Sequence, residues 1–225
     1  MDNTLSEKPF QSSALLSGEE FLRFTFEYQK VIMLYECAIK NVTTQLDILE
    51  QEYHIKGWRT PFHSVSKRIK EPLSIYNKLQ KIHAPLDIPS IKENLNDVAG
   101  IRIICNYIQD IYTVRDILKS KQGWELIKEK DYIENVKPNG YRSLHLVIAV
   151  PVVLKDDMQM VHCEIQLRTC AMDSWASLEH TMRYKKDLPY IPQMDSKLRS
   201  CAELLYQSDL KMQSIAEQIH LFDLE

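Results

Sequence analysis

Apolar residues in the N-terminal part of the chain recur at alternating gaps of three and four: Phe21, Phe24, Tyr28, Val31, Tyr35, Ala38 and Val42. That spacing puts them on one stripe of a long helix, which Leu46, Leu49 and Tyr53 continue approximately. Gly57 and then Thr60-Pro61 end it. Ser64 to Ile82 reads as a second, shorter and basic helical segment, interrupted at Glu71-Pro72. Pro85 and Pro89 mark a loop, and residues 90–95 a short helix. Strand character follows at Ile101–Tyr107, Trp124–Tyr132, Ser143–Val150 and Met160–Arg168, with helices expected at Ile111–Lys119 and Ala171–Tyr184. Near the C-terminus Leu198, Cys201, Leu205, Ser208, Met212, Ile215, Ile219 and Phe222 repeat the three-four spacing, broken in polarity only at Ser208.

This pattern predicts an α+β fold: a single mixed sheet of four to five strands flanked by helices, with long N- and C-terminal helices. The expected divisions are a flexible, polar N-terminus (1–17), an N-terminal helical segment (18–57), a central domain (58–190) and a C-terminal helix (191–225). The two terminal stripes suit packing on the sheet, and equally suit a seam with another subunit.

Composition narrows the class. A 225-residue chain with 44% hydrophobic and 26% charged residues is that of an ordinary soluble domain. Its net charge of −3 argues against a general polyanion binder, so no stable nucleic-acid partner is expected. Between Lys56 and Arg102, however, nine Lys and Arg face only four Asp and Glu. A local basic excess of this kind fits a small anion such as a phosphate chain. Five cysteines without a C-x-x-C pair read as reduced thiols, mostly buried, and His162-Cys163 lacks a second pair to make a metal site. Neither a secretory signal pattern nor a bilayer-length apolar run occurs, so a cytoplasmic protein without membrane attachment is expected.

Four short stretches are too polar for their surroundings. In Lys67-Arg68-Ile69-Lys70, with Ser74 and Lys78, a helical reading puts Lys70, Ser74 and Lys78 on one basic face. That face suits a polyphosphate, or is simply solvated. In Asp97-Val98-Ala99-Gly100-Ile101-Arg102 a carboxylate precedes a Gly that opens a buried strand, and Arg102 there needs an anionic or stacking partner. Lys137-Pro138-Asn139-Gly140 is a tight turn delivering Tyr141, Arg142 and His145 to a strand mouth. The Tyr there could stack a purine, or merely sit at a hairpin. In Glu164-Ile165-Gln166-Leu167-Arg168 three polar residues share one strand face, where they cannot be buried idle, and Asp173 follows in the next helix. Asp97 and Glu164, on different strands, could hold a Mg2+ that bridges phosphate oxygens. The Walker, dinucleotide-binding and kinase motifs are absent.

These stretches, in this order, together with Trp175-Ala176-Ser177-Leu178-Glu179-His180, resemble the synthetase domain of the RelA/SpoT family, above all its short stand-alone members, the small alarmone synthetases. The resemblance runs from Pro61 to Lys185. It implies a GTP/GDP pyrophosphokinase of the stringent response, moving the β,γ-pyrophosphate of ATP onto the 3′-hydroxyl of GTP or GDP. The products would be pppGpp or ppGpp, and AMP. It further implies that Arg68 and Arg102 sandwich adenine while Lys70, Ser74 and Lys78 handle the donor phosphates. Asp97 would hold Mg2+, and Glu164 would complete the metal shell and take the proton from the attacking hydroxyl. Tyr141 would stack guanine, with Lys137, Arg142 and His145 beside the acceptor and Gln166 and Asp173 on the same side. No His-Asp dipeptide of the family's hydrolase domain occurs, so synthesis without hydrolysis is expected. Stand-alone members commonly form homotetramers through terminal helices, which agrees with the two stripes. The main competing reading is a nucleotide sensor that binds without reacting, against which the retention of both Asp97 and Glu164 argues. A general nucleotidyltransferase or RNA-binding module is the other.

Overall fold

Helix α1 (Gly18–Lys56) begins at a capping box. Ser17 Oγ accepts the Glu20 N–H at 3.2 Å while the Glu20 carboxylate accepts the Ser17 N–H at 2.9 Å. It ends at Gly57, whose φ of 70° makes the left-handed cap that glycine tolerates best. The computed structural model describes residues 17–184, 193–219 and 221–224. The expected loose segment up to residue 16, the side chain of Phe21 and the division near residue 190 lie outside the described residues. From Val31 onward the expected stripe is buried through Tyr35, Ala38, Val42, Leu46, Leu49 and Tyr53. Phe24, nearer the start, is exposed.

Five strands form one mixed sheet: β1 (Phe62–Ile69), β2 (Ala99–Cys105), β3 (Glu125–Asp131), β4 (Leu144–Val153) and β5 (Met158–Thr169), in spatial order β1-β2-β5-β4-β3. Of the neighbouring pairs among the described residues, β2–β5 is parallel and the other three are antiparallel. Alternation along each strand separates two faces. Ile101 and Ile103 of β2, Leu144, Leu146 and Ile148 of β4, and Ile165 and Leu167 of β5 are buried in one core with α1 and α4 (Ile108–Lys119). Burying those side chains is the main source of stability, at about 1.5–3 kcal/mol for each large one. The opposite face carries Arg102, His145, Glu164 and Gln166, each only partly buried. It is the chemically equipped side of the sheet.

Three expectations change. Ser64–Ile82 is not one helical segment but strand β1 followed by α2 (Pro72–Lys81), with α3 (Ile88–Asn94) beyond the loop. Pro72 sits in the first helical turn, where its missing N–H costs nothing, and residues 62–69 pair along β2 as an edge strand. An edge strand tolerates Lys67 and Arg68 because one of its sides meets water.

The second change concerns α6 (Met194–Gln218), which packs on α5 (Cys170–Tyr184) and α4. Its buried positions are Leu198, Ala202 and Ala216, whereas Cys201, Met212, Ile215 and Ile219 of the expected stripe are exposed. Phe222 follows in a 3-10 turn (Leu221–Leu224), edge-on to the Tyr107 ring with centroids 5.4 Å apart. Third, of the five cysteines only Cys105 and Cys163 are buried; Cys37 is intermediate, and Cys170 and Cys201 are exposed. Among the described residues no helix is long and apolar enough to cross a membrane.

Gly140, in the turn before β4, has a φ of 94°. A Cβ there would stand 2.8 Å from the Ala202 Cβ and 3.2 Å from the Arg199 Cα of α6. Gly140→Ala is therefore expected to cost about 2 kcal/mol or more, combining overpacking with backbone strain. A clearly lower urea midpoint would show it; an unchanged midpoint would mean that α6 yields freely.

Candidate active site

Strand register assembles the first half of the site. Arg68 lies opposite Gly100 and Gly100 opposite Glu164; Ser66 lies opposite Arg102 and Arg102 opposite Gln166. These residues line a cleft of about 160 Å³ across β1, β2 and β5. Gly100 has no side chain to obstruct its floor, and the Arg68 stem lies over it: a Cβ would be 3.4 Å from Arg68 Cγ. Arg68 and Arg102 thus both border one cleft, as a pair of stacking groups requires.

Asp97 stands just ahead of β2 and collects two cations. Lys70 Nζ is 3.0 Å from Oδ2 and Lys78 Nζ 2.7 Å from Oδ1. The shared helical face expected for Lys70, Ser74 and Lys78 is corrected here, because Lys70 precedes α2 in an extended link. Its own N–H bonds to the Val98 carbonyl. The two ammoniums meet from different elements instead, and Ser74 is exposed on α2 one turn before Lys78. Burial pushes the Asp97 carboxyl up, but Lys78 and Lys70 outweigh it and hold the group below its usual range.

Glu164 is the second carboxylate. Gln166 donates to its Oε2 at 3.0 Å, and His145 Nδ1 is 3.6 Å from its Oε1. Burial pushes its pKa up, yet the His145 and Gln166 contacts hold it below the usual value even against the nearby Asp97 charge. It is an ionised acceptor at neutral pH.

Tyr141 closes the arrangement. Its hydroxyl is 2.7 Å from His145 Nε2 and receives a hydrogen bond from Arg168 Nη2 at 2.7 Å. Arginine only donates, so the phenol keeps its own proton for His145 Nε2, which leaves Nδ1–H directed at Glu164. The Tyr141 ring meets the rings of Tyr132 and His145 edge-on, and the Lys137 ammonium lies over both tyrosine rings, 4.5 Å from Tyr141 and 4.3 Å from Tyr132.

The structure thus brings together Arg68, Lys70, Lys78, Asp97, Arg102, Lys137, Tyr141, His145, Glu164 and Gln166. Ser74, exposed on α2, is not drawn into this set, and Arg142 points elsewhere. Its guanidinium turns to α6, bonding Glu203 at 2.9 Å and covering the Tyr206 ring at 4.2 Å. Asp173 is not confined to the acceptor side either: its Oδ1 accepts a hydrogen bond from Arg168 (2.8 Å) and forms an ion pair with Arg102 (3.2 Å). Two participants lacked an assigned role in the sequence. Tyr132 looked like a strand end, although an aromatic opposite the turn was a usable sign. Arg168 stood on the polar face of β5 with no partner to identify its task.

The donor set suits a hard divalent cation. Asp97 and Glu164 offer oxygen ligands within reach of each other's field, and no group of three or more His, Cys, Asp or Glu forms among the described residues. Mg2+ ordinarily takes one or two carboxylates and fills its remaining positions with water and substrate phosphates.

Residues 67–188 match the family described as a region found in RelA / SpoT proteins. GTP pyrophosphokinase YwaC of Bacillus subtilis is 39% identical over 86% of this chain and 92% of its own length. The crystal structure of small alarmone synthetase 2 from Bacillus subtilis superposes with a TM-score of 0.77 at 39% identity, covering 85% of this chain and 99% of that one. Small alarmone synthetase 1 from the same organism, solved bound to its product pppGpp, gives a TM-score of 0.78 at 28% identity, covering 86% and 98%.

Proposed function

The chain belongs to the RelA/SpoT family, and from that premise we propose that it is a GTP/GDP pyrophosphokinase making pppGpp or ppGpp and AMP in the cytoplasm. The observation that carries the reading is the pairing of two ionised carboxylates, Asp97 just ahead of β2 and Glu164 on β5, near enough for the Asp97 charge to act on Glu164. On one side of Glu164 lies a cleft bordered by two arginines, and on the other a tyrosine with a cation over its ring.

In this reading ATP occupies the cleft with adenine between Arg68 and Arg102. Lys70, Ser74 and Lys78 receive its phosphates once Lys70 and Lys78 share their contacts with Asp97. The acceptor guanine stacks on Tyr141, and Lys137 moves from the ring towards phosphate. Glu164 takes the proton of the 3′-hydroxyl, whose oxygen then bonds to the β-phosphorus. The bond from that phosphorus to the oxygen bridging to the α-phosphate breaks, and AMP departs with the electron pair. Gln166 and His145 hold Glu164 ionised and oriented. Mg2+ bound by Asp97 and Glu164 would neutralise charge on the phosphate oxygens.

Incubating the protein with Mg2+, γ-32P-ATP and GTP or GDP is expected to move label to a more highly phosphorylated guanosine species, with AMP formed in step. Binding of both nucleotides without transfer would make the protein a sensor. Release of pyrophosphate from added ppGpp would overturn synthesis without hydrolysis.

The apolar residues exposed on the terminal helices support assembly into a homotetramer. They include Leu22, Phe24 and Phe26 on α1, and Leu204, Met212 and Ile215 on α6, with Ile219 just past its end. Light scattering should return about four times the chain mass of 26.4 kDa; the mass of a single chain would remove the proposal.

A further inference from the structure

Beyond the groups assigned to substrates, one buried cation joins both halves of the site. The Arg168 side chain is only 5% exposed, and all three of its nitrogens are engaged. Nε approaches Ser143 Oγ at 3.4 Å, Nη1 bonds Asp173 at 2.8 Å, and Nη2 bonds the Tyr141 hydroxyl at 2.7 Å and Gln166 Oε1 at 3.1 Å. Burying a guanidinium is costly unless it is paired and fully hydrogen-bonded, and apolar residues of similar volume would often stabilise a fold as well. Such a group is accounted for by what it holds in place.

Its partners point in two directions. Towards the acceptor side it holds the Tyr141 phenol, and so the far end of the ring. Towards the donor side it shares Asp173 Oδ1 with Arg102. The Nε of Arg102 is buried without a hydrogen-bond partner, and its Nη1 pairs with the Asp173 carboxylate. Asp173 also stands between two like charges that would otherwise repel across neighbouring strands. The consequence is geometric: Tyr141 on the β4 side and Arg102 on β2 are referred to one common point.

We propose that Arg168 and Asp173 are a positioning pair that fixes the two purine-stacking groups, Tyr141 and Arg102, relative to each other. The proposal rests on the nucleotide assignments made above. It predicts effects that separate by nucleotide, which a purely structural role would not produce.

Titration calorimetry on the full chain would measure Kd for GDP and for a non-hydrolysable ATP analogue separately, with thermal midpoints recorded for each variant. Asp173→Asn leaves the two guanidiniums uncompensated and is expected to weaken the ATP analogue by about fivefold or more, with GDP within about twofold. Tyr141→Phe keeps the stacking ring but loses the phenol, and should weaken GDP by about threefold or more while sparing the ATP analogue. Arg168→Lys keeps the charge but not the fork, and should weaken both. If it fails to fold, the other two variants still decide. Folded Asp173→Asn and Tyr141→Phe proteins that bind both nucleotides like wild type, or lose both equally, would overturn the pairing. Wild-type protein that binds neither nucleotide would overturn the functional reading itself.

Discussion

Glu164→Gln should lower kcat by about three orders of magnitude while both nucleotides still bind. The substitution is nearly isosteric, and its carbonyl oxygen still accepts the hydrogen bond from Gln166 that Glu164 accepts at 3.0 Å. What disappears is the negative charge that His145 and Gln166 maintain, and with it the only group placed to receive the hydroxyl proton in this reading. Single-turnover measurement at saturating ATP and GDP separates this from a binding defect. A rate within tenfold of wild type would remove Glu164 as the base.

Tyr141→Ala should raise the acceptor Kd by about ten- to a hundredfold and leave the ATP analogue within about threefold. In the proposed reading the ring supplies the stacking surface, and its loss also frees the Lys137 ammonium now lying over it. The phenol link to His145 and Arg168 goes as well, so the effect should exceed that of Tyr141→Phe. Equal weakening of both nucleotides would place Tyr141 outside the acceptor pocket.

Strands β2 and β4 were legible because they are rich in Ile and β-branched residues, and β3 and β5 because their residues alternate, so that Arg102, His145 and Glu164 stand out among their neighbours. The carboxylates and the turn before Tyr141 were legible for the same reason: polar residues stand out in apolar strands. Strand β1 was not, since an edge strand carrying Lys67, Arg68 and Ser66 shows no apolar face of its own. The inner face of α6 was hidden because Ala202 and Ala216 bury by fitting closely, whereas the larger Met212 and Ile215 stay outside. Arg142 was misplaced because its direction depends on Glu203 and Tyr206, more than sixty residues further along the chain. Lys70 reached its expected company by a different route, from an extended link rather than a helix.

The turn carrying Tyr141 is fastened to α6 at several points. Gly140 abuts Ala202, Arg142 grips Glu203 and Tyr206, and Trp175 beside them donates to the Leu198 carbonyl at 2.8 Å. A force that shifts α6 through its exposed outer side therefore shifts Tyr141, the proposed guanine platform, with it. Thermodynamic reciprocity then requires the acceptor nucleotide to change the strength of any grip on that helix by the same factor by which the grip changes acceptor affinity.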